Sequence, residues 1–241
     1  MPAATVEALR NVLPLAAGRT EAPEPEPVQP VAWADVEAIL PHVSRTVRAL
    51  IMAMWHTGAR VGEAVALTGA SLDRSGPAWR YVVPLHKSSW RGRKRTVWIG
   101  PAGQAAILPF LRLDLAAPIF DAGQSAFEWC EGRRAARKSK RWPSHARAQE
   151  AKRARANLDA FAPRPFTVAA VNRAVRRACE RAGIGAWSPG QLRHSCATRL
   201  RELAGIEAAA ATLGHSNHEL TLNVYAAASE AQAAAVAAMH G

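Results

Sequence analysis

The chain has 241 residues, 49% of them hydrophobic, with a net charge of +12 at pH 7 and a pI near 10.9. That length suits one large or two small domains able to bury most of their apolar surface. With no apolar run of bilayer length and no N-terminal segment that reads as a signal peptide, a soluble, cytoplasmic protein is expected. The excess of base points to a polyanion partner, nucleic acid first, although charge alone also fits a ribosomal or membrane-surface protein. Cys130, Cys179 and Cys196 are scattered and lack zinc spacing, so neither a metal, a disulfide nor a redox site is indicated.

In chain order, a short apolar helical phrase from Val6 to Leu15 is followed by Glu21-Ala22-Pro23-Glu24-Pro25-Glu26-Pro27, which suits neither a helix nor a central strand and reads as a linker. From Trp33 the pattern turns helical. Asp35 to Leu40 stops at Pro41, and Ser44 then caps a run that places Val47, Leu50, Ile51, Met54 and Trp55 on one core-building face. Thr57-Gly58 ends that run, so Arg60 leaves from a helix boundary, and Val61, Ala64, Val65 and Leu67 open another buried helix. Glu63, one turn after Arg60, is placed to orient it.

Trp79 to Leu85 and Arg95 to Ile99 alternate as strands, with Tyr81 in an ordinary packing position, and His86 to Lys94 forms the polar tip between them. Pro84 suggests an edge strand. Pro101 to Leu113 reads as a helix interrupted at Pro109, after which the pattern breaks for about fifty residues. A basic segment lies at about residues 121–163, with Arg133, Arg134, Arg137, Lys138, Lys140, Arg141, Arg147, Lys152, Arg153 and Arg155. Non-specific phosphate contact and a solvated charged insertion, disordered without DNA, are both open readings of it.

Thr167 caps a helix with Val168, Val171, Val175, Cys179 and Ala182 inward, stopped by Gly183, while Arg173, Arg176 and Arg177 fall on its other faces. Ser188 and Pro189 then suit the cap and first position of a helix that brings out Arg193 about a turn inside, packed through Leu192, Cys196, Leu200 and Leu203. A helix start bearing an arginine suits a phosphate. Ile206, Ala209, Ala210 and Leu213 form a further helix before His215, and an alanine-rich run follows Tyr225 to Met239.

Thr57-Gly58-Ala59-Arg60-Val61-Gly62-Glu63, then Leu192-Arg193-His194-Ser195, then Leu213-Gly214-His215 with Tyr225 ten residues on, resemble in this order the tyrosine recombinase (phage integrase) family. The resemblance implies a mostly α fold with a small antiparallel β-sheet (α+β), the catalytic-domain fold of that family, over residues 31–241. Residues 1–30 would then be the tail of a helical DNA-clamping domain, otherwise absent, and its Pro/Glu-rich linker. It implies site-specific recombination, integrating or excising a mobile element. Tyr225 would be the nucleophile that forms a 3′-phosphotyrosyl bond, Arg60 and Arg193 the clamps on the non-bridging oxygens, and His215 a further phosphate donor. Lys87, on the hairpin, would be the acid for the leaving 5′ oxygen, with Lys94 as its rival.

Arg91, Arg93, Lys94 and Arg95 read as phosphate clamps, and Arg173, Arg176 and Arg177 join Arg91, Arg93 and Lys94 as candidate DNA contacts. Double-stranded DNA is the expected partner, with self-assembly on it as dimers or tetramers, a nucleoid-associated location, and no cofactor, because the phosphotyrosyl bond keeps the energy of the bond it replaces. One departure is plain: the family's His-x-x-Arg has Gly190 in place of its histidine. His194, about 100° round the helix from Arg193, is a supporting, structural histidine. His215 and His218 lack a third metal ligand. A type IB topoisomerase and a catalytically silent DNA-binding domain are the alternative readings.

Overall fold

The computed structural model describes residues 2–12, 28–84, 95–139, 142–145, 147–148 and 162–214. Its centre is α3 (Arg45–Thr57). Ser44 Oγ accepts from Val47 N at 3.2 Å to cap the helix, and Gly58, at φ 63°, ends it with its N–H on Met54 O. The expected Val47, Leu50, Ile51, Met54 and Trp55 are all buried. Thr46, Ala49 and Ala53 are buried too, so α3 is enclosed round most of its circumference, as a helix with neighbours on several sides must be.

The other elements follow in chain order. α1 (Ala3–Arg10) lies over part of the expected N-terminal helix, and α2 (Trp33–Ile39) buries Val36 and Ile39 before Pro41 turns the chain through a 3-10 segment, Leu40–His42. α4 (Val61–Val65) follows α3 after three residues. The sheet is antiparallel in the order β1 (Leu72–Asp73), β2 (Trp79–Val82), β3 (Thr96–Ile99). The sequence pattern missed β1, whose two residues are too few to show a period. Consequently β2 is central and not an edge strand; Pro84 lies beyond its end, so its missing N–H costs the ladder nothing. Period-2 alternation turns Tyr81, Val97 and Ile99 inward.

α5 (Pro101–Ile107) is shorter than expected, because Pro109 forces a 3-10 turn over Leu108–Phe110. α6 (Ala122–Ala135) occupies the first part of the segment read as a basic insertion. It is fastened by polar seams: Glu128 Oε2 accepts from Thr46 N at 2.8 Å and Oγ1 at 2.9 Å, and the Ser44 and Ser125 hydroxyls are 2.7 Å apart. A carboxylate at the N-terminus of α3 is favourably placed, but such seams have no apolar period to reveal them.

α7 (Val168–Ala182), capped by Thr167 and ended by Gly183 at φ 69°, buries Val171, Val175, Ala178 and Cys179. Val168, expected inward, is 43% exposed because a side chain in the first turn leans back past the helix end. α8 (Gln191–Leu213) starts after a turn at Ser188-Pro189 and not at Pro189 itself: Gln191 Oε1 accepts from Ser188 N at 2.7 Å, reversing the expected cap. Gly205, at φ 82° and ψ 173°, breaks α8 into the two expected helical stretches.

Leu192 and Cys196 are buried as expected, but Leu203 is 82% exposed, since it falls just before the Gly205 break where no described element covers the helix. Ser195, Ala197 and Arg201 take the buried positions instead. Ser195 Oγ donates to Val31 O at 2.8 Å and accepts from Val31 N at 2.9 Å, pinning the start of the helical region to α8. Among the described residues no helix is long and apolar enough to cross a membrane.

Candidate active site

The ends of α3 and α8 meet. A Cβ on Gly58 would lie 2.5 Å from Leu213 Cδ2 and 3.1 Å from Cys196 Sγ, so the glycine both supplies the left-handed cap and permits the approach. Arg193 closes this junction: its Nη1 donates to Gly58 O at 2.8 Å and its Nη2 to Leu213 O at 2.7 Å. One guanidinium thus satisfies carbonyls at two helix C-termini whose negative ends favour a cation. Burial, then the neighbouring charges of Arg60 and Arg95, lower its pKa to about 10, so it is a cation at neutral pH but an electrostatically strained one.

Arg60 sits at the N-terminus of α4. Its backbone N–H donates to Glu63 Oε2 at 3.0 Å and its Nη1 to Glu63 Oε1 at 2.7 Å, the orientation expected of this pair. The Arg60 side chain remains 50% exposed, whereas Glu63 is buried. Burial would raise the Glu63 pKa, but the two hydrogen bonds from Arg60 and the charges of Arg95 and Arg60 together hold it below the usual carboxylate range. A depressed folded pKa means that this contribution to stability is complete above the unfolded carboxylate's pKa and is lost as pH falls through the lower folded value.

Arg95 is the group the sequence placed wrongly. It is no surface clamp: it is 6% exposed, with Nη1 donating to Thr212 O at 3.2 Å and Nε 3.6 Å from Glu63 Oε1. The signal was available, since residues 95, 97 and 99 share the inward face of the β3 alternation. Tyr81 completes the shell. Its hydroxyl donates to Glu63 O at 2.8 Å, and burial, then the Glu63 charge, push its pKa well up, leaving it a buried structural phenol.

The structure therefore brings Arg60, Glu63 and Arg193 together, as expected from the motifs, and adds Arg95. His194 is half-buried next to Arg193 in sequence, with its pKa lowered by burial and then by the Arg193 charge, as suits a neutral supporting imidazole. Gly190 has ordinary helical dihedrals, φ −60° and ψ −29°, and a Cβ there would meet only Ser188 Oγ at 3.7 Å. Arg173, Arg176 and Arg177 are exposed on α7, with Arg176 Nε 3.9 Å from Glu180 Oε1. Lys87, Arg91, Arg93, Lys94, His215 and Tyr225 lie outside the described residues.

Three guanidiniums and one carboxylate, gathered at two helix C-termini and one helix N-terminus, leave an excess of positive charge with one exposed fork. Such a cluster suits a phosphate group.

Known proteins share this fold. Residues 130–232 match the phage integrase family. The fold resembles XerA recombinase (18% identity over 91% of this chain and 65% of that one, TM-score 0.53). It also resembles XerH site-specific recombinase bound to its palindromic difH substrate in a post-cleavage complex (15% identity, 93% of this chain and 57% of that one, TM-score 0.54). A third similar structure is the Tn1549 transposon integrase in complex with transposon right end DNA (17% identity, 86% and 64%, TM-score 0.53). The chain spans less than two thirds of these proteins, and at such identities the likeness establishes a tyrosine recombinase catalytic-domain fold. No curated protein sequence matches it.

The strained cation cluster predicts stabilisation by a tetrahedral dianion. At fixed ionic strength and neutral pH, sulfate or phosphate in place of chloride should raise Tm by roughly 2–6 °C. The gain should shrink in Arg60→Ala and in Arg193→Ala, as read by differential scanning fluorimetry; equal gains in all three proteins would remove the anion from this site.

Proposed function

We propose, from the match of residues 130–232 to the phage integrase family and the likeness to tyrosine recombinase folds, that this protein cuts and rejoins double-stranded DNA at specific sites to integrate or excise a mobile element. Residues 31–241 serve as its catalytic unit and assemble with further copies on DNA, in the cytoplasm with the nucleoid. The observation that carries this reading is the nearness of Arg193 to Arg60: their charges interact, and Arg193 bonds Gly58 O, two residues before Arg60 but 135 residues from Arg193 in sequence.

A DNA phosphodiester resists attack because its anionic oxygens repel the nucleophile and its alkoxide is a poor leaving group. Arg60 and Arg193 neutralise the non-bridging oxygens, most strongly as charge gathers in the pentavalent transition state. Glu63 orients Arg60, and His215 donates to the same phosphate. The Tyr225 oxygen attacks phosphorus, its proton leaving to a base or solvent, and the bond from phosphorus to the 5′ oxygen breaks as Lys87 supplies that oxygen with a proton. The assignment of Tyr225 is supported by elimination, since the chain has two tyrosines and the Tyr81 hydroxyl is already committed to Glu63 O. Arg91, Arg93 and Lys94 on the hairpin, with Arg173, Arg176 and Arg177 on α7, contact flanking phosphates.

On a suicide duplex nicked beside the cleavage site, the wild-type protein should form an SDS-resistant adduct and Tyr225→Phe none, with DNA affinity nearly intact. Arg60→Ala and Arg193→Ala should each slow single-turnover cleavage by about two orders of magnitude or more. An adduct in Tyr225→Phe moves the nucleophile elsewhere.

If Lys87 is the acid, Lys87→Ala should regain much of its rate on a substrate with sulfur as the bridging 5′ atom, because a thiolate leaves without a proton. Arg60→Ala should not. Rescue of Lys94→Ala alone would transfer the role to Lys94.

Gly190→His offers a gain-of-function test, because the backbone and the open space around Gly190 both accept a side chain. A histidine three residues before Arg193 should supply a further phosphate donor and raise the single-turnover rate about tenfold or more. A rate unchanged by the substitution would show that the phosphate lies beyond reach of position 190.

A further inference from the structure

We propose that Arg95 is a positioning residue that takes over Glu63 when Arg60 turns towards the scissile phosphate. This rests on the recombinase reading above, and it concerns a residue outside the motifs on which that reading is built.

Glu63 Oε1 is shared unequally. Arg60 Nη1 holds it at 2.7 Å, while Arg95 Nε stands 3.6 Å away and, like Arg95 Nη2, has no hydrogen-bond partner among the described residues. Arg60 is free to move its exposed fork. Arg95 is not: it is 6% exposed, its Nη1 is anchored on Thr212 O, and Gly214 leaves it room only by lacking a Cβ, which would lie 2.4 Å from Nη1.

An Arg60 committed to phosphate would by itself strip a buried carboxylate of its main partner, a costly state. Rotating Glu63 by under about 1 Å brings Oε1 to hydrogen-bonding distance of Arg95 Nε, so the carboxylate keeps a partner and a buried N–H gains one. Arg60 is thereby released at little cost while its backbone N–H stays on Glu63 Oε2. The same side chain links the entry of β3 to the last turn of α8.

The test compares wild type, Arg95→Met, Glu63→Gln and the double variant. Single-turnover cleavage of the suicide duplex is measured at saturating DNA, well below each unfolding midpoint. Arg95→Met should slow cleavage about tenfold or more with DNA affinity within about threefold, because Glu63 then retains Arg60. The double variant should be faster than Arg95→Met, because a carboxamide no longer traps the guanidinium. A residue that only supports the fold would lower the midpoint without changing the rate of the folded protein.

Should Arg95→Met not fold, Arg95→Lys replaces it: it keeps the charge but cannot reach Glu63 and Thr212 O together, and a rate below wild type is again expected. A folded Arg95 variant that cleaves like wild type, or a double variant no faster than Arg95→Met, overturns the proposal while a wild-type adduct leaves the recombinase reading standing. A wild-type protein that forms no adduct overturns both.

Discussion

The Arg193 guanidinium, donating to Gly58 O and to Leu213 O, joins the C-terminal ends of the two helices on which the site is built. Each helix end presents carbonyls without intrahelical partners and a partial negative charge, so neither could be buried against the other without a cation between them. Hydrogen bonds to a charged donor contribute about 1.5–3 kcal/mol each. The two glycine caps make the geometry possible, Gly58 by admitting Leu213 and Gly214 by admitting Arg95. Arg193 is therefore the clasp that holds this junction together.

Three arginines this close repel one another, and the fold answers with groups that are themselves anchored. Glu63 bridges Arg60 and Arg95 and is held below the usual carboxylate range despite its burial. Its backbone carbonyl is fixed by Tyr81 from β2, and Arg95 arrives from β3, so the small sheet positions one wall of the site. What remains among the described residues is an excess of positive charge at this cluster. Placement in packed elements gives the rigidity that transition-state recognition needs.

Among the described residues, several other basic side chains lie on outer faces. Arg173, Arg176 and Arg177 face outward from α7, whose buried stripe of Val171, Val175 and Cys179 faces the core. α6 carries Arg133 and Arg134 in its last turn yet joins α3 through Ser125 and Glu128. Charge can thus accumulate on outer faces, where water solvates it, while the arginines of the cluster are pinned by hydrogen bonds.

The sequence by itself determined the class of fold, α3 with its serine and glycine caps, the α7 stripe, the break between the last two helical stretches, and the pairing of Arg60 with Glu63. These are local: a cap, a period of 3.6 and an i,i+3 pair are written within a few residues of one another. The inward position of Arg95 was also present in the strand alternation, but a run of basic residues beside it made a surface clamp the simpler reading. Only the tertiary structure decided that Arg193 bonds Gly58 O, that Arg95 reaches Glu63 and Thr212 O, that Ser195 grips Val31, and that a polar α6 seats on α3. Those contacts join residues far apart in the chain through polar atoms, and hydrogen bonds of that kind have neither a period nor a composition by which a sequence can announce them.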